Sequence, residues 1–319
     1  MKKVFKILLY IVAAVAAIVV CFVGFIQFRG IPNYTPTKVD LKIEYTPQRA
    51  EEGKRLASML CKKCHMNQDG SSVSGRHMLD CPAAFGEAFS ANITQDKEHG
   101  IGKWTDGELA AYIRTGVKPS GQYVPPYMPK FPHLSDEDLA CIISWLHSDD
   151  PAVKPSSAVS IPCEPSWFCK FLCNVAIKAL PYPTAPIAQA DTNDLVALGK
   201  YCVQSRYQCY ACHSADFATN KELQPELSKG YCGGGNKMPD YSQKIIPTQN
   251  ITMDEETGIG NWSFEDFSKA LKSGIMPNNQ PALRYPMDPY INLTDKEVAA
   301  IYAYLKTIPK IKNKVDRGV

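Results

Sequence analysis

Two short motifs place cysteine and histidine at a spacing that can attach haem. CKKCH spans residues 61–65 and CYACH spans residues 209–213. Thiols three positions apart can each form a thioether to one of two neighbouring vinyl groups of a porphyrin, and the histidine that follows can bind the iron. The sequence therefore predicts two covalently bound haem c groups, with four attachment residues and two iron ligands: Cys61, Cys64, Cys209 and Cys212, and His65 and His213.

A CxxC pair also occurs as a redox dithiol or as half of a zinc site. The histidine after the second cysteine, present in both copies, favours haem attachment over either alternative. The chain has 12 cysteines in 319 residues, which fits an oxidising compartment better than the cytosol. Its net charge of +3 is too small to indicate nucleic-acid binding.

An uncharged apolar segment, residues 7–28, follows lysines at positions 2, 3 and 6. At 1.5 Å per residue it gives about 33 Å of helix, enough to cross the ~30 Å hydrocarbon core of a bilayer. We predict an uncleaved transmembrane signal-anchor over residues 1–30, with the lysines inside the cell and the rest exported. A cleaved signal peptide is the alternative, although its apolar region is normally shorter and ends at a small-residue cleavage site.

Most of the chain after residue 46 is an internal repeat. NITQDKEHGIGKW at residues 92–104 recurs as NITMDEETGIGNW at residues 250–262, and ACIISWLHS recurs as AAIYAYLKT. We predict two homologous domains, residues 47–150 and 191–312, called the first and second repeats below. Between and around them we place a spacer (31–46), a proline- and cysteine-rich linker (151–190) and a tail (313–319).

The last helix of each repeat is clearly marked in the sequence. Ser135 and Thr294 are the predicted N-caps, and each is followed three residues later by the acidic partner of a capping box, Asp138 or Glu297. Apolar residues then recur at helical spacing, at i, i+3, i+4 and i+7. No segment alternates with period two over a useful length. Both repeats are therefore predicted to be all-α.

An iron held by one histidine needs a second ligand or keeps an open position. No histidine follows His213, so the downstream candidates in the second repeat are methionines 238, 253, 276 and 287. Met287 has a counterpart in the first repeat, Met128, in a proline-bearing loop before the last helix, whereas Met276 aligns with Lys118. Met128 and Met287 are the predicted second ligands. The alternatives are gap-filling methionines and, for the first iron, His77, His99, His133 or His147.

Four further positions have a predicted role near these sites. Trp104 and Trp262 follow the two GIG turns, where each can pack on a haem edge or donate its indole N–H to a propionate. Gly53 and Gly199 precede the CxxCH motifs, and we expect them to let the terminal helices of each repeat cross closely, although an isolated helical glycine can also be a mere weak spot.

The linker contains a short apolar segment, residues 167–180. Fourteen residues are too few to span a bilayer. We expect the segment to pack at the interface between the domains, with the membrane surface as the alternative. Seven cysteines remain outside the motifs and the N-terminal apolar segment, an odd number, and Cys202 with Cys232 is the predicted disulfide.

The order of these motifs resembles the cytochrome c subunits of membrane-bound alcohol and gluconate dehydrogenases, and related diheme cytochromes. The shared pattern is CxxCH, NIT-x-D-x-x-x-GIG-x-W, a TG or SG dipeptide, a methionine loop and a [ST]-D-x-[DE] helix start, over residues 47–148 and 191–309. The resemblance implies an all-α fold of two tandem class I cytochrome c domains preceded by one transmembrane helix. It also implies that His65 and Met128 hold one iron, and that His213 and Met287 hold the other.

The predicted function is a membrane-anchored diheme cytochrome c in the bacterial cytoplasmic membrane, with its haem domains facing the periplasm. It would transfer single electrons between a donor, a dehydrogenase or quinol-oxidising complex, and a downstream cytochrome or terminal oxidase. No acid, base or nucleophile constellation stands out, so we expect a carrier with redox proteins as partners, not an enzyme. A diheme peroxidase is the alternative, but its two haems must differ, whereas the two repeats match at the methionine loop.

Overall fold

The computed structural model describes residues 2–316, and within that range regular structure is almost entirely helical. The α-helices are α1 (Lys2–Arg29), α2 (Pro47–Leu60), α3 (Lys62–His65), α4 (Asp106–Thr115), α5 (Asp136–Leu146), α6 (Trp167–Val175), α7 (Leu195–Tyr201), α8 (Cys209–His213), α9 (Phe264–Ser273) and α10 (Asp295–Leu305), and a π-helical turn, Cys202–Arg206, continues α7.

Four strands of two or three residues form two antiparallel pairs. β1 (Gly86–Glu87) pairs with β2 (Glu164–Pro165), and β3 (Lys237–Pro239) pairs with β4 (Ile245–Pro247). These ladders pin loops and do not build a sheet with a buried face. The prediction of an all-α fold is therefore confirmed.

In each repeat the core forms where the first and last helices cross. α2 packs against α5 in the first repeat, and α7 packs against α10 in the second. A glycine lies at each crossing: a Cβ on Gly53 would stand 1.8 Å from the carbonyl oxygen of Cys141, and a Cβ on Gly199 would stand 1.9 Å from that of Ala300. Only glycine lets the backbones approach this closely, as the sequence predicted.

We expect Gly199→Ala to destabilise the protein by about 3 kcal/mol, because the added methyl would overlap the Ala300 carbonyl and force α7 away from α10. The urea midpoint of unfolding measures this loss. Gly24→Ala is the matched control, since that helical glycine has no neighbour within 4 Å of its ideal Cβ. Equal midpoints for the two variants would contradict the close crossing.

The last helices of the two repeats begin differently. Thr294 and Glu297 form the complete capping box at the start of α10. At the start of α5, the Ser135 hydroxyl accepts from the Asp138 N–H at 3.1 Å, but the Ser135 N–H donates to the hydroxyl of Tyr201 at 2.9 Å. The predicted capping box is therefore wrong for the first repeat. The Asp138 carboxylate faces the second repeat instead, where a buried arginine binds it.

That arginine, Arg206, ties the two repeats together. Its Nε lies 2.6 Å from Asp138 Oδ2, and its Nη1 lies 2.6 Å from Glu297 Oε1. All three side chains are at most 6% exposed. Arg55 of α2 reaches Glu297 from the first repeat at 2.8 Å. Each last helix thus presents its third residue, an acid, to arginine from the other repeat, and the charges are paired as burial requires.

The carboxyl of Glu297 is the acid-sensitive member of this cluster. Burial alone would raise its pKa, but hydrogen bonds from Arg55 and Tyr207 favour the ionised form and hold the pKa at about 2. Because this folded-state pKa lies below the unfolded value of 4.5, the stabilisation is present above about pH 4.5 and is lost as the pH falls towards 2.

We therefore expect the wild-type protein to lose about 3 kcal/mol more of its unfolding free energy between pH 5 and pH 2 than a Glu297→Gln variant does, because the variant has no carboxyl to protonate in that range. Denaturant unfolding at a series of pH values measures the difference. Parallel pH profiles for the two proteins would contradict the assignment.

The linker helix α6 does not lie between the two repeats. It packs against α1 and against the loop around residues 83–85 of the first repeat. The expectation that this segment packs at the domain interface is therefore wrong. Cys169 and Cys173 explain the placement, because both are fully buried among Val117 and Tyr123 of the first repeat.

The N-terminal helix is exposed along most of its apolar length, with Ile26 near its end buried. The span Lys3–Arg29 is long and apolar enough to cross a membrane, with a mean hydropathy of 2.9, and its most apolar window is 0% buried. A membrane anchor and a signal sequence both have these properties. The predicted Cys202–Cys232 disulfide is absent, since all twelve cysteines are free thiols, although both residues are buried in one core cluster.

Candidate functional site

The two CxxCH motifs fold alike, as one short helix turn that ends in histidine. His65 ends α3 and His213 ends α8, and they are 9% and 8% exposed. The His65 Nδ1 lies 2.8 Å from the carbonyl oxygen of Ala91, and the His213 Nδ1 lies 2.7 Å from that of Gln249. A carbonyl can only accept, so Nδ1 carries the proton and Nε2 presents its lone pair. Burial lowers the pKa of both rings, which favours this neutral form.

The NIT segments hold those carbonyls in place. Asn92 follows Ala91, and its Oδ1 accepts from the N–H and the hydroxyl of Thr94; Asn250 bonds Thr252 in the same way. Asn92 also donates to carbonyls of the linker, at Ser156 and Ala158. Sequence reasoning used NIT only as a marker of the repeat. In the structure, the NIT segment fixes the loop whose carbonyl orients each histidine.

Glycines of the GIG turns complete the same loops. A Cβ on Gly100 would stand 2.3 Å from the carbonyl oxygen of Thr94, and a Cβ on Gly258 would stand 2.2 Å from that of Thr252. The turn therefore closes on the NIT segment only with glycine at this position. A second hydrogen bond ties each loop to its motif, because Ser90 donates to the Cys64 carbonyl and Thr248 donates to that of Cys212.

The motif thiols lack the character of a redox dithiol. Burial raises the pKa of Cys61 and Cys209 to about 12 and that of Cys212 to about 11, whereas a reactive dithiol has a lowered pKa. Among residues 2–316 no group of three or more histidine, cysteine or acidic side chains is arranged to hold a metal ion directly. The zinc interpretation of the motifs therefore has no support in the fold.

In the second repeat the predicted side chains meet in one apolar cavity. Its walls include both thiols of the motif, His213, Trp262 and Met287. Met238 and Met276 also line it, so cavity position alone does not select one methionine. The site fits a haem by its chemistry: two thiols at one edge, a histidine with Nε2 available, and apolar walls that would exclude water from a porphyrin face.

Met128 and Met287 occupy the same backbone turn in the two repeats. The Met128 N–H donates to the Pro125 carbonyl at 3.2 Å, and the Met287 N–H donates to that of Arg284 at 3.0 Å. A second matched bond anchors each loop, from Phe131 to Ile113 and from Tyr290 to Leu271. This equivalence favours Met287 over Met276.

The first repeat holds Met128 by a contact that the second repeat lacks. The hydroxyl of Tyr112 lies 2.9 Å from the Met128 sulfur, and the ring of Trp104 packs edge-on against Tyr112 at 5.3 Å. The position of Tyr112 on α4 corresponds to Ala270 on α9. Alignment of the repeats could have revealed this asymmetry, which was missed.

Three of the four alternative histidines of the first repeat have interactions of their own, whereas the Nε2 of the fourth, His133, is buried without a hydrogen-bond partner among residues 2–316. His77 stacks on Phe89 and lies 2.8 Å from Glu87, and His147 stacks on Tyr45. The backbone N–H of His99 bonds the Asp96 carboxylate at the end of the NIT segment. These contacts place His77, His99 and His147 in surface loops or at a helix end.

The two sites adjoin each other across the contact between the repeats. Lys63, inside the first CxxCH motif, lies 3.9 Å from Asp288 and 4.4 Å from the centre of the Tyr290 ring. Tyr290 itself lines the cavity of the second repeat. On the other side of Met287, the hydroxyl of Tyr285 donates to the carboxylate of Asp80. The methionine loop of the second repeat is thus bonded to the first repeat near Cys64.

Comparison with known proteins agrees with this geometry. Residues 50–149 and 196–309 each match the family description "Cytochrome c". The fructose dehydrogenase cytochrome subunit of Gluconobacter japonicus is 30% identical over 261 residues, covering 78% of this chain and 50% of that protein. The alcohol dehydrogenase (quinone) cytochrome c subunit of Gluconobacter oxydans (strain 621H) is 27% identical, covering 85% and 56%. A diheme cytochrome c-type protein of Cereibacter sphaeroides is 29% identical, covering 79% and 83%.

The chain therefore belongs to the cytochrome c family. It spans about half the length of the dehydrogenase subunits that it matches. The predictions of haem c as cofactor and of an electron-transfer protein that is not itself an enzyme are confirmed at the level of the family. The number of haems, the second iron ligands, the membrane anchor and the partners stay predictions.

Proposed function

We propose that this protein is a membrane-anchored diheme cytochrome c that transfers single electrons on the outer face of the bacterial cytoplasmic membrane. The observation that carries the proposal is the duplicated site: each repeat has a CxxCH turn, a buried histidine bonded through Nδ1 to a fixed carbonyl, and a methionine in an equivalent turn. Two family matches, one per repeat, support a count of two haems.

Haem c supplies a reversible one-electron change at its iron. The residues of this chain do the rest. Cys61, Cys64, Cys209 and Cys212 attach the two groups. His65 and His213 offer Nε2 to the irons, and Met128 and Met287 offer thioether sulfur, a ligand pair that raises the reduction potential relative to two histidines. The apolar walls around His213 and Met287 would favour the iron state of lower net charge.

The contact between the repeats supports electron passage from one site to the other within a single chain. Lys63 and Tyr290 join the first motif to the wall of the second cavity. The buried Arg206 cluster keeps the repeats from moving apart, which holds the distance between the sites constant. One site can therefore receive an electron from a donor while the other serves an acceptor.

The relatives suggest where the protein works. Those named as fructose and alcohol dehydrogenase subunits accompany a dehydrogenase, so we propose a dehydrogenase or quinol-oxidising complex as donor and a further cytochrome or terminal oxidase as acceptor. The exposed apolar helix α1 is the proposed anchor, which places both repeats in the periplasm.

Methionine replacement tests the ligand assignment. We expect Met128→Ala and Met287→Ala each to remove half of the methionine–iron charge-transfer band of the oxidised protein and to lower one reduction potential by on the order of 0.1 V, a small part of the ~0.8 V range that axial ligands span. Met276→Ala is the matched control because Met276 lines the same cavity. Loss of the band in Met276→Ala and its retention in Met287→Ala would reverse the assignment.

The same spectra decide between a carrier and a peroxidase. A carrier has two low-spin haems and does not consume hydrogen peroxide, because both irons hold a second strong ligand. A high-spin ferric signal with rapid peroxide consumption in the wild-type protein would contradict the proposed function.

A further inference from the structure

The linker helix α6 has three faces, and two of them are occupied. Cys169 and Cys173, one turn apart, are fully buried against the first repeat. Trp167 and Phe171, also one turn apart, stack on each other and face the last turns of α1. The third face carries Phe168, Leu172 and Val175, a purely apolar strip at i, i+4 and i+7 spacing.

That third face is partly open, since the Phe168 ring stacks on Phe85 and Leu172 is half-buried. Phe168 is 45% exposed and Val175 is 52% exposed. Exposed apolar side chains that lie together on one helix face indicate a contact with a partner or a membrane more strongly than isolated ones do. The neighbours of the strip indicate what covers it.

The end of α1 lies alongside α6. The rings of Phe22 and Phe171 meet edge-on at 6.1 Å, and the indole N–H of Trp167 donates to the Val23 carbonyl at 3.1 Å. Phe22 is six residues before the end of the apolar segment at Phe28, about 9 Å along the helix axis. If α1 spans the bilayer, as the proposed function requires, α6 lies at the depth of the outer leaflet.

The side of α6 that faces the C-terminal end of α1 carries polar and basic groups. Lys170 donates to the Gln27 side chain at 3.1 Å, and Asn174 donates to the Gly30 carbonyl at 2.8 Å. Arg29 ends α1, and Lys178 follows α6. Basic groups and a tryptophan at the end of an apolar span are typical of the headgroup level. The Trp167 indole carries no unsatisfied donor into the apolar phase, because the Val23 carbonyl accepts a hydrogen bond from its N–H.

We propose that α6 is a second membrane element, an interfacial helix that rests in the outer leaflet beside α1 with Phe168, Leu172 and Val175 towards the acyl chains. This proposal rests on the proposed membrane anchor. Its consequence is orientation: Phe168 stacks on Phe85, which packs in the cluster with Cys64 and Tyr127. The first haem site is therefore the membrane-proximal one, and it is the one that faces a membrane-embedded redox partner.

Photolabelling tests the proposal on the full holoprotein. The protein is reconstituted alone into vesicles of phosphatidylethanolamine and phosphatidylglycerol that contain a phospholipid with an acyl-chain diazirine, illuminated, digested and mapped by mass spectrometry. We expect adducts on α1 and on the peptide that carries residues 167–175. A variant with Phe168→Asp and Val175→Asp should show a several-fold loss of α6 adducts with α1 labelling unchanged.

The matched control is Phe264 on α9, which is also 45% exposed but belongs to the second repeat. Its peptide should carry no adduct. Adducts on α1 alone would overturn the proposal that α6 lies in the membrane but would agree with α1 as the anchor. The apolar strip of α6 would then be a contact surface for a protein partner. Adducts on neither helix would overturn the anchor and the inference together. Equal labelling of the Phe168 and Phe264 peptides would show nonspecific reaction at exposed rings and would also overturn the inference.

Discussion

A Cys209→Ala, Cys212→Ala double variant is expected to contain one haem per chain instead of two and to lose the fold of its second repeat. Both thiols line an apolar cavity that also holds His213, Trp262 and Met287. Without thioether bonds the haem is retained only by its iron ligands and by packing, and an unfilled cavity of this kind costs several kcal/mol, since even single Leu→Ala cavities cost about 3–5 kcal/mol. Pyridine haemochrome content per chain and thermal unfolding measure the two effects.

Cys232→Ala is the control for this variant. Cys232 is fully buried in the same repeat but lies outside the motif. It should retain two haems and lose only the stability of a small core truncation. Retention of two covalent haems by the double variant would contradict the attachment assignment, and loss of haem from Cys232→Ala would show that the effect is one of core packing in general.

Arg206→Met should destabilise the protein by about 3–5 kcal/mol, because it leaves the carboxylates of Asp138 and Glu297 buried without their shared partner. The loss should also uncouple the repeats, so that calorimetry resolves two transitions where the wild type shows one. Adding Asp138→Asn to this variant removes one unpaired charge and should recover part of the loss.

Lys272→Ala is the control for the arginine substitution. Lys272 pairs with Asp295 at the start of α10, the helix that also carries Glu297. The Asp295 carboxylate is 93% exposed, and exposed ion pairs contribute under about 1 kcal/mol to stability. If Arg206→Met were as mild as Lys272→Ala, the cluster would not join the repeats, and a fixed distance between the two sites would lose its main support.

The features that could be predicted from the sequence are those set by a few neighbouring residues and those that both repeats share. The CxxCH turns, the N-caps at Ser135 and Thr294 and the close crossings at Gly53 and Gly199 each depend on a few adjacent residues or on one backbone approach. The duplication also helps to choose between candidates: Met287 is preferred over Met276 as the iron ligand because only Met287 has a methionine at the equivalent position of the first repeat.

The features that sequence did not predict depend on contacts between distant segments. Asp138 sits at a capping-box position, yet its carboxylate binds Arg206, 68 residues away, because a buried guanidinium outcompetes a single backbone N–H. The contact of Tyr112 with the Met128 sulfur depends on where the methionine loop folds against α4, which no local sequence pattern indicates. We expected the linker helix between the repeats, but no local sequence pattern indicates that it packs against α1 instead.

A spectroelectrochemical titration of the full-length protein, combined with a haem-to-protein ratio, tests the central claim most directly. We expect two covalent haems per chain, both low-spin with a methionine charge-transfer band. We also expect two one-electron steps at unequal potentials, because Tyr112 contacts Met128 whereas Ala270 occupies that position in the second repeat. One haem per chain, or a high-spin iron in the oxidised protein, would contradict the central claim.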